Sequence, residues 1–164
     1  MSLSLEEEQR LKKWLEMLKS TDANMAKIAA DKLGEIGNTM AVMPLIEALQ
    51  RRTATVAAAA AQALGRINDK RALSPLIEAL RSHQDVMVQT AAADGLGMMR
   101  AVQAIAPLSA VIDDYLETFK NDRFNLTRGM RRGLFTTCIH SLRQIGTLEA
   151  KRIANNAERT ESLL

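Results

Sequence analysis

The chain is 164 residues long, 47% hydrophobic, 25% charged and 3% aromatic, with three prolines and eight glycines, which excludes a disordered or collagen-like polymer. Ala and Leu dominate, a helix former's composition whose core must be built from small and aliphatic side chains. The net charge of +3, from 22 Lys and Arg against 19 Asp and Glu, is too mild to mark a nucleic-acid binder.

Hydrophobic periodicity predicts helices at about 5–19, 23–36, 40–51, 54–67, 71–82, 85–99, 101–119 and 128–146, then a less strongly patterned one at 148–159. In the first helix Leu11, Trp14, Leu15 and Leu18 form an apolar stripe, and the Glu6–Glu8 run is expected to face water. That pattern suits the capping unit of a stack. The third, fifth and seventh helices share a motif. PLIEALQ starts at Pro44, PLIEALR at Pro75 and the degenerate PLSAVID at Pro107, spaced by 31 and 32 residues. Each proline is expected within the first turns of its helix, where a missing N–H costs least.

The second, fourth and sixth helices share another motif in step with the first. KLGEIG ends at Gly37, ALGRIN at Asn68 and GLGMMR at Arg100, and a weaker copy, SLRQIG, ends at Gly146. Gly34, Gly65 and Gly97 hold one repeated place, for tight packing or for a helix-terminating backbone. Such a period predicts stacked hairpins that bury a core only together. The units run over about 5–37, 38–68, 69–100 and 101–146, with a capping tail at 147–164, in one domain.

These residues carry a resemblance. Met25, Ala29, Ala30, Leu33, Gly34, Ile36 and Gly37, then Ala41, Pro44, Leu45, Ile46, Ala48 and Leu49, resemble a HEAT repeat. The pattern is most similar to the short phycobilisome-lyase HEAT-like type. It recurs from Val56 to Leu80 and again from Val88 to Leu108. The fourth copy keeps apolar places at Leu134, Cys138, Ile139, Leu142 and Ile145, but Arg143 replaces the glycine. The Arg that often follows the first apolar residue of the family's second helix is Ala26, Ala57 and Gln89 here, which puts an inter-repeat polar ladder in doubt. The resemblance implies an all-α fold, a right-handed α–α superhelix (HEAT/ARM-like solenoid) of about four hairpins. Family members include subunits that attach or remove bilin chromophores on light-harvesting proteins, alongside simple adaptors, and fold alone does not choose between these.

In such a stack the second helices line the concave face, and three rows of non-core positions result: Lys27, Ala58, Thr90 and Thr136; Asp31, Gln62, Asp94 and His140; Glu35, Arg66, Met98 and Gln144. They form either a partner-binding surface or an ordinary solvated face. The period then fails: from Leu96 to Leu142 is 46 residues, about 14 too many. The excess, about 113–132, holds Tyr115, Phe119 and Phe124, with Lys120, Arg123, Arg128, Arg131 and Arg132 close by. Arg beside exposed aromatics is an interface-like composition. The alternative is a lengthened helix pair whose aromatics fill the end of the core and whose arginines are solvated.

No catalytic or metal-binding constellation stands out, and no cofactor is expected. His83 and His140 lack ligand partners at helical spacing. Cys138 occupies an apolar repeat place and is expected to be buried packing. A single cysteine allows no internal disulfide, which favours a reducing, cytoplasmic setting. No apolar run is long enough for a signal peptide or a membrane span. The sequence therefore predicts a non-enzymatic scaffold or adaptor that binds another protein. The alternative is a bilin-lyase-like enzyme or subunit. Nucleic-acid binding is the least favoured, because the presumed groove carries Asp31, Glu35 and Asp94.

Overall fold

A computed structural model of the chain describes residues 4–50, 53–121 and 128–163. Among them are nine α-helices: α1 (Leu5–Leu18), α2 (Ala23–Ile36), α3 (Val42–Leu49), α4 (Ala54–Ile67), α5 (Leu73–Ser82), α6 (Val86–Met98), α7 (Ile105–Asn121), α8 (Arg128–Ile145) and α9 (Leu148–Ser162). The expected elements are present, with one difference in kind. The link into each of α3, α5 and α7 is a single 3-10 turn, at Thr39–Ala41, Lys70–Ala72 and Val102–Ala104. The first two turns are held locally: the Asn38 side chain accepts from the Met40 N–H and the Asp69 carboxylate from the Arg71 N–H. Pro44, Pro75 and Pro107 each stand third in their helix, where a backbone N–H has no helical partner to lose.

The fold is an α–α solenoid. Helices α2, α4, α6 and α8 pack side by side in chain order, and α1, α3, α5 and α7 each back onto their own partner on the outside. The helix α9 closes the far end against α8 and α7. The core is the leucine and alanine set of the repeat: Leu33, Leu64, Leu96 and Leu142 are all fully buried, as are Leu45, Leu76 and Leu108.

The repeated glycines divide into two roles. Gly34, Gly65 and Gly97 lie inside their helices and serve packing. A Cβ on Gly65 would stand 2.5 Å from the Cα of Gly95, one on Gly34 would stand 2.8 Å from the Cα of Ala63, and one on Gly97 2.8 Å from the Cα of Ser141. Termination belongs to the last residue of each motif. Gly37, Asn68, Arg100 and Gly146 all take the left-handed backbone, which suits Gly and Asn and is costly for Arg. The third turn differs from the others: α6 ends at Met98 with Met99 still right-handed, and Arg100 makes the reversal.

In the fourth unit the glycine place holds Arg143 because it faces a different neighbour. Its guanidinium reaches Glu158 of α9 at 2.6 Å. The apolar places of that unit are kept, with Leu134, Cys138, Ile139, Leu142 and Ile145 all buried. Much of the extra length between Leu96 and Leu142 lengthens the helices, α7 to 17 residues and α8 to 18, against 8 for α3 and 10 for α5.

Candidate partner-binding groove

A helix whose apolar stripe faces the outer helices turns its next face to the inside of the curve. On α2, α4, α6 and α8 that next face carries the first two rows of the repeat, and the structure brings both together. Lys27, Asp31, Ala58, Gln62, Thr90, Asp94, Thr136 and His140 line one open groove of about 770 Å³. The sequence missed its floor. Ala59, Val86, Met87 and Ala91, with Thr55 and Thr137, complete the lining. They sit beside the rows, and the small size of Ala59 and Ala91 is the signal that could have marked that floor. The third row lies outside this lining: Glu35 pairs with Lys32 at 2.7 Å, Arg66 and Met98 are exposed, and Gln144 packs beneath Gly97.

The groove has a definite electrostatic character. Lys27 and Asp31, one helical turn apart, pair at 2.8 Å and largely cancel. The half-buried Asp94 has no ion-pair or hydrogen-bond partner among the described residues, so one carboxylate remains uncompensated over an apolar floor. At the far wall the Gln144 amide nitrogen lies 2.9 Å from Nε2 of His140, donating to the ring nitrogen and holding the imidazole at the rim.

The segment 113–132 is placed differently from the groove. Tyr115 is buried and stacks on Phe135 with ring centroids 4.5 Å apart. Arg131 meets Asp114 at 3.2 Å and its Nη1 donates to the Thr118 hydroxyl at 3.4 Å. Arg132 meets Glu161 of α9 at 3.2 Å, and the Tyr115 hydroxyl donates to the same carboxylate. Both arginines are partly exposed, and each such pair contributes only tenths of a kcal/mol. Arg123 and Phe124 lie outside the described residues, as do the side chains of Phe119 and Arg128.

Among the described residues no three of His, Cys, Asp and Glu come close enough to share a metal ion. Cys138 is buried, and burial pushes its thiol up to about 12, away from the thiolate that nucleophilic work requires. No described helix is long and apolar enough to cross a membrane.

A family model for HEAT repeats matches residues 11–85 and 52–119. The chain belongs to the HEAT-repeat family. This HEAT-repeat chain is also similar to a solved structure, that of the complex of CpcE and CpcF of phycocyanin lyase from Nostoc sp. PCC7120. The likeness has a TM-score of 0.63 at 19% identity and covers 100% of this chain and 67% of that one. At that identity the likeness shows the fold alone. No curated protein matches the sequence.

Proposed function

We propose that this HEAT-repeat chain is a protein-binding scaffold that seats an amphipathic helix of its partner in the concave groove. The observation that supports this reading is the composition of the lining: a floor of Ala58, Ala59, Ala91, Val86 and Met87 beside the unpaired Asp94 carboxylate. An apolar helix face carrying one Lys or Arg satisfies both parts of that surface. The same carboxylate repels a phosphate backbone, which argues against nucleic acid. The 113–132 segment is a second contact in this reading, with Arg128, Arg131 and Arg132 as the residues to test.

The test is affinity capture from the native host, comparing the wild type with Asp94→Lys and Thr136→Trp. The first reverses the uncompensated carboxylate of the groove, and the second fills the groove from an exposed position. Partners retained by the wild type and lost by both variants, with helicity unchanged, support the groove. Equal capture by all three proteins removes it. Charge reversal at Arg128, Arg131 and Arg132 tests the second contact in the same experiment.

A second reading, a subunit of a bilin lyase, is supported by the full-length fold likeness to a subunit of the phycocyanin lyase complex. Co-expression with a bilin and an apo light-harvesting subunit distinguishes the two. Covalent colour that depends on this chain favours the lyase subunit, and its absence with and without a second subunit favours the scaffold.

A further inference from the structure

Two buried side-chain polar atoms among the described residues have no hydrogen-bond partner, Ser141 Oγ and Gln144 Oε1. They share one place, under Gly97 of α6, where a Cβ would stand 2.5 Å from Gln144 Oε1 and 2.8 Å from the Cβ of Ser141. A buried acceptor left unpaired is costly, so two of them side by side call for an explanation. The same Gln144 amide leads out of this place to the groove. Its nitrogen lies 2.9 Å from Nε2 of His140, which lines the groove wall. All three residues belong to α8, where residues three and four apart are neighbours on the helix surface, so Gln144 meets both Ser141 and His140.

The Gln144 amide has two positions with opposite consequences. In the first its N–H donates to Nε2 of His140, the neutral imidazole carries its proton on Nδ1, and the ring nitrogen left for the groove is a donor. Both buried oxygens then stay unpaired. In the second the amide turns over about its last bond. The Nε2–H of His140 then donates to Gln144 Oε1, and the Gln144 N–H donates to Ser141 Oγ. Neither buried oxygen is an orphan, the ring proton sits on Nε2, and Nδ1 is left to the groove as a lone pair.

Asp94 holds the equivalent place on α6, lines the same groove and is the only charged residue of that helix. A carboxylate and a ring lone pair on neighbouring helices are two acceptors for one donor group. A guanidinium fits them, because its planar fork presents several N–H groups and its charge compensates Asp94, whereas a neutral donor leaves the carboxylate uncompensated. We infer that His140 is a specificity residue of the groove: together with Asp94 it accepts one arginine of the partner helix, and Gln144 is the positioning residue that holds the ring proton on Nε2. The role presupposes that the partner helix seats in the groove. Protonation of His140 removes the lone pair and puts a positive charge where the arginine docks. The contact therefore weakens as pH falls through the range in which histidines change charge, about pH 8 to 5. The charges on the other elements around α8 are engaged elsewhere. Glu158 and Glu161 of α9 pair with Arg143 and Arg132, Asp114 of α7 pairs with Arg131, and Lys27 and Asp31 of α2 pair with each other.

Fluorescence anisotropy with a defined probe tests this on the full chain. The probe is an amphipathic helical peptide of about 18 residues, long enough to cross four packed helices, whose Ala/Leu face carries one central Arg. Its control has citrulline, the neutral isostere, in that place. The wild type is expected to prefer the Arg peptide by at least about tenfold near pH 7.5, and several-fold less near pH 5.5. His140→Ala, at an exposed position, should keep a weaker preference that no longer changes with pH. Gln144→Met should weaken the preference at unchanged helicity, and Asp94→Asn should abolish it. Nitrogen NMR of the His140 ring, separated from His83 by His83→Gln, gives a reading that needs no partner. Neutral His140 should be the Nε2–H form in the wild type and a mixture of both forms in Gln144→Met. A neutral ring held as the Nδ1–H form, or a preference for Arg that His140→Ala and pH leave unchanged, overturns the inference. If Asp94→Asn still abolishes that preference, the groove remains the partner's seat without a role for His140. Absence of peptide binding, or binding that Thr136→Trp leaves intact, overturns the groove and the inference together.

Discussion

Replacing Gly65 by Ala adds one methyl group to a helix, and in an exposed helix that change stabilises by about 0.8–1.0 kcal/mol through propensity. Here the new Cβ would stand 2.5 Å from the Cα and 3.1 Å from the carbonyl oxygen of Gly95. Both are backbone atoms, so no rotamer change relieves the clash, and α4 and α6 must part by roughly 1 Å to restore ordinary contact. Overpacking of this kind costs about 1–3 kcal/mol. The propensity gain offsets part of it, leaving a net loss of up to about 2 kcal/mol, or up to roughly 8 °C in Tm for a chain of this size. Gly133 is the control. It is helical and exposed, and a Cβ there would meet nothing within 4 Å, so Gly133→Ala should gain up to about 1 kcal/mol. Thermal and urea melts followed by far-UV circular dichroism compare the three proteins. If Gly65→Ala stabilises as much as Gly133→Ala, the close approach of α4 and α6 is not what holds the second and third units together.

Two further outcomes follow from the same geometry. Arg100 is exposed and takes a left-handed backbone at φ 49°, where the equivalent residues are Gly37, Asn68 and Gly146. Arg100→Gly should therefore raise stability by about 1 kcal/mol in a urea melt, and a loss would show that the side chain contributes more than its backbone costs. Cys138 should resist thiol reagents in the native state and react in step with unfolding. Its thiol is pushed up to about 12 by burial, from 9.0. Below pH 9 both folded and unfolded chains hold the proton. Above it only the unfolded chain ionises, so stability should fall as pH rises from about 9 toward 12. Rapid native labelling at neutral pH would contradict the burial.

The family was legible because the repeat states its own period twice, in PLIEAL and in the leucine–glycine motif. Helix positions followed, since a 3.6-residue stripe is a local property of the chain. The first two rows of the groove were legible for the same reason: equivalent residues in a regular stack fall in line. The floor was not, because Ala59 and Ala91 serve packing and groove lining at once, and only the spacing between helices decides which atoms remain open.

The sequence by itself determined the repeat, the all-helical fold and the small-residue core, all of which depend on near-neighbour spacing and composition. Tertiary structure decided everything that depends on which surface faces which. It assigned Gly34, Gly65 and Gly97 to packing and their C-terminal neighbours to termination, a choice that turns on the distance to the next helix. It drew Tyr115 into the core against Phe135 and engaged Arg131 and Arg132 with acids on α7 and α9, because the lengthened pair folds back on the last helix. It also left Met25, Ile28 and Ile36 uncovered. In the repeat pattern Met25 is equivalent to the buried Val56 and Val88, and it differs because no described helix packs on that flank of α2.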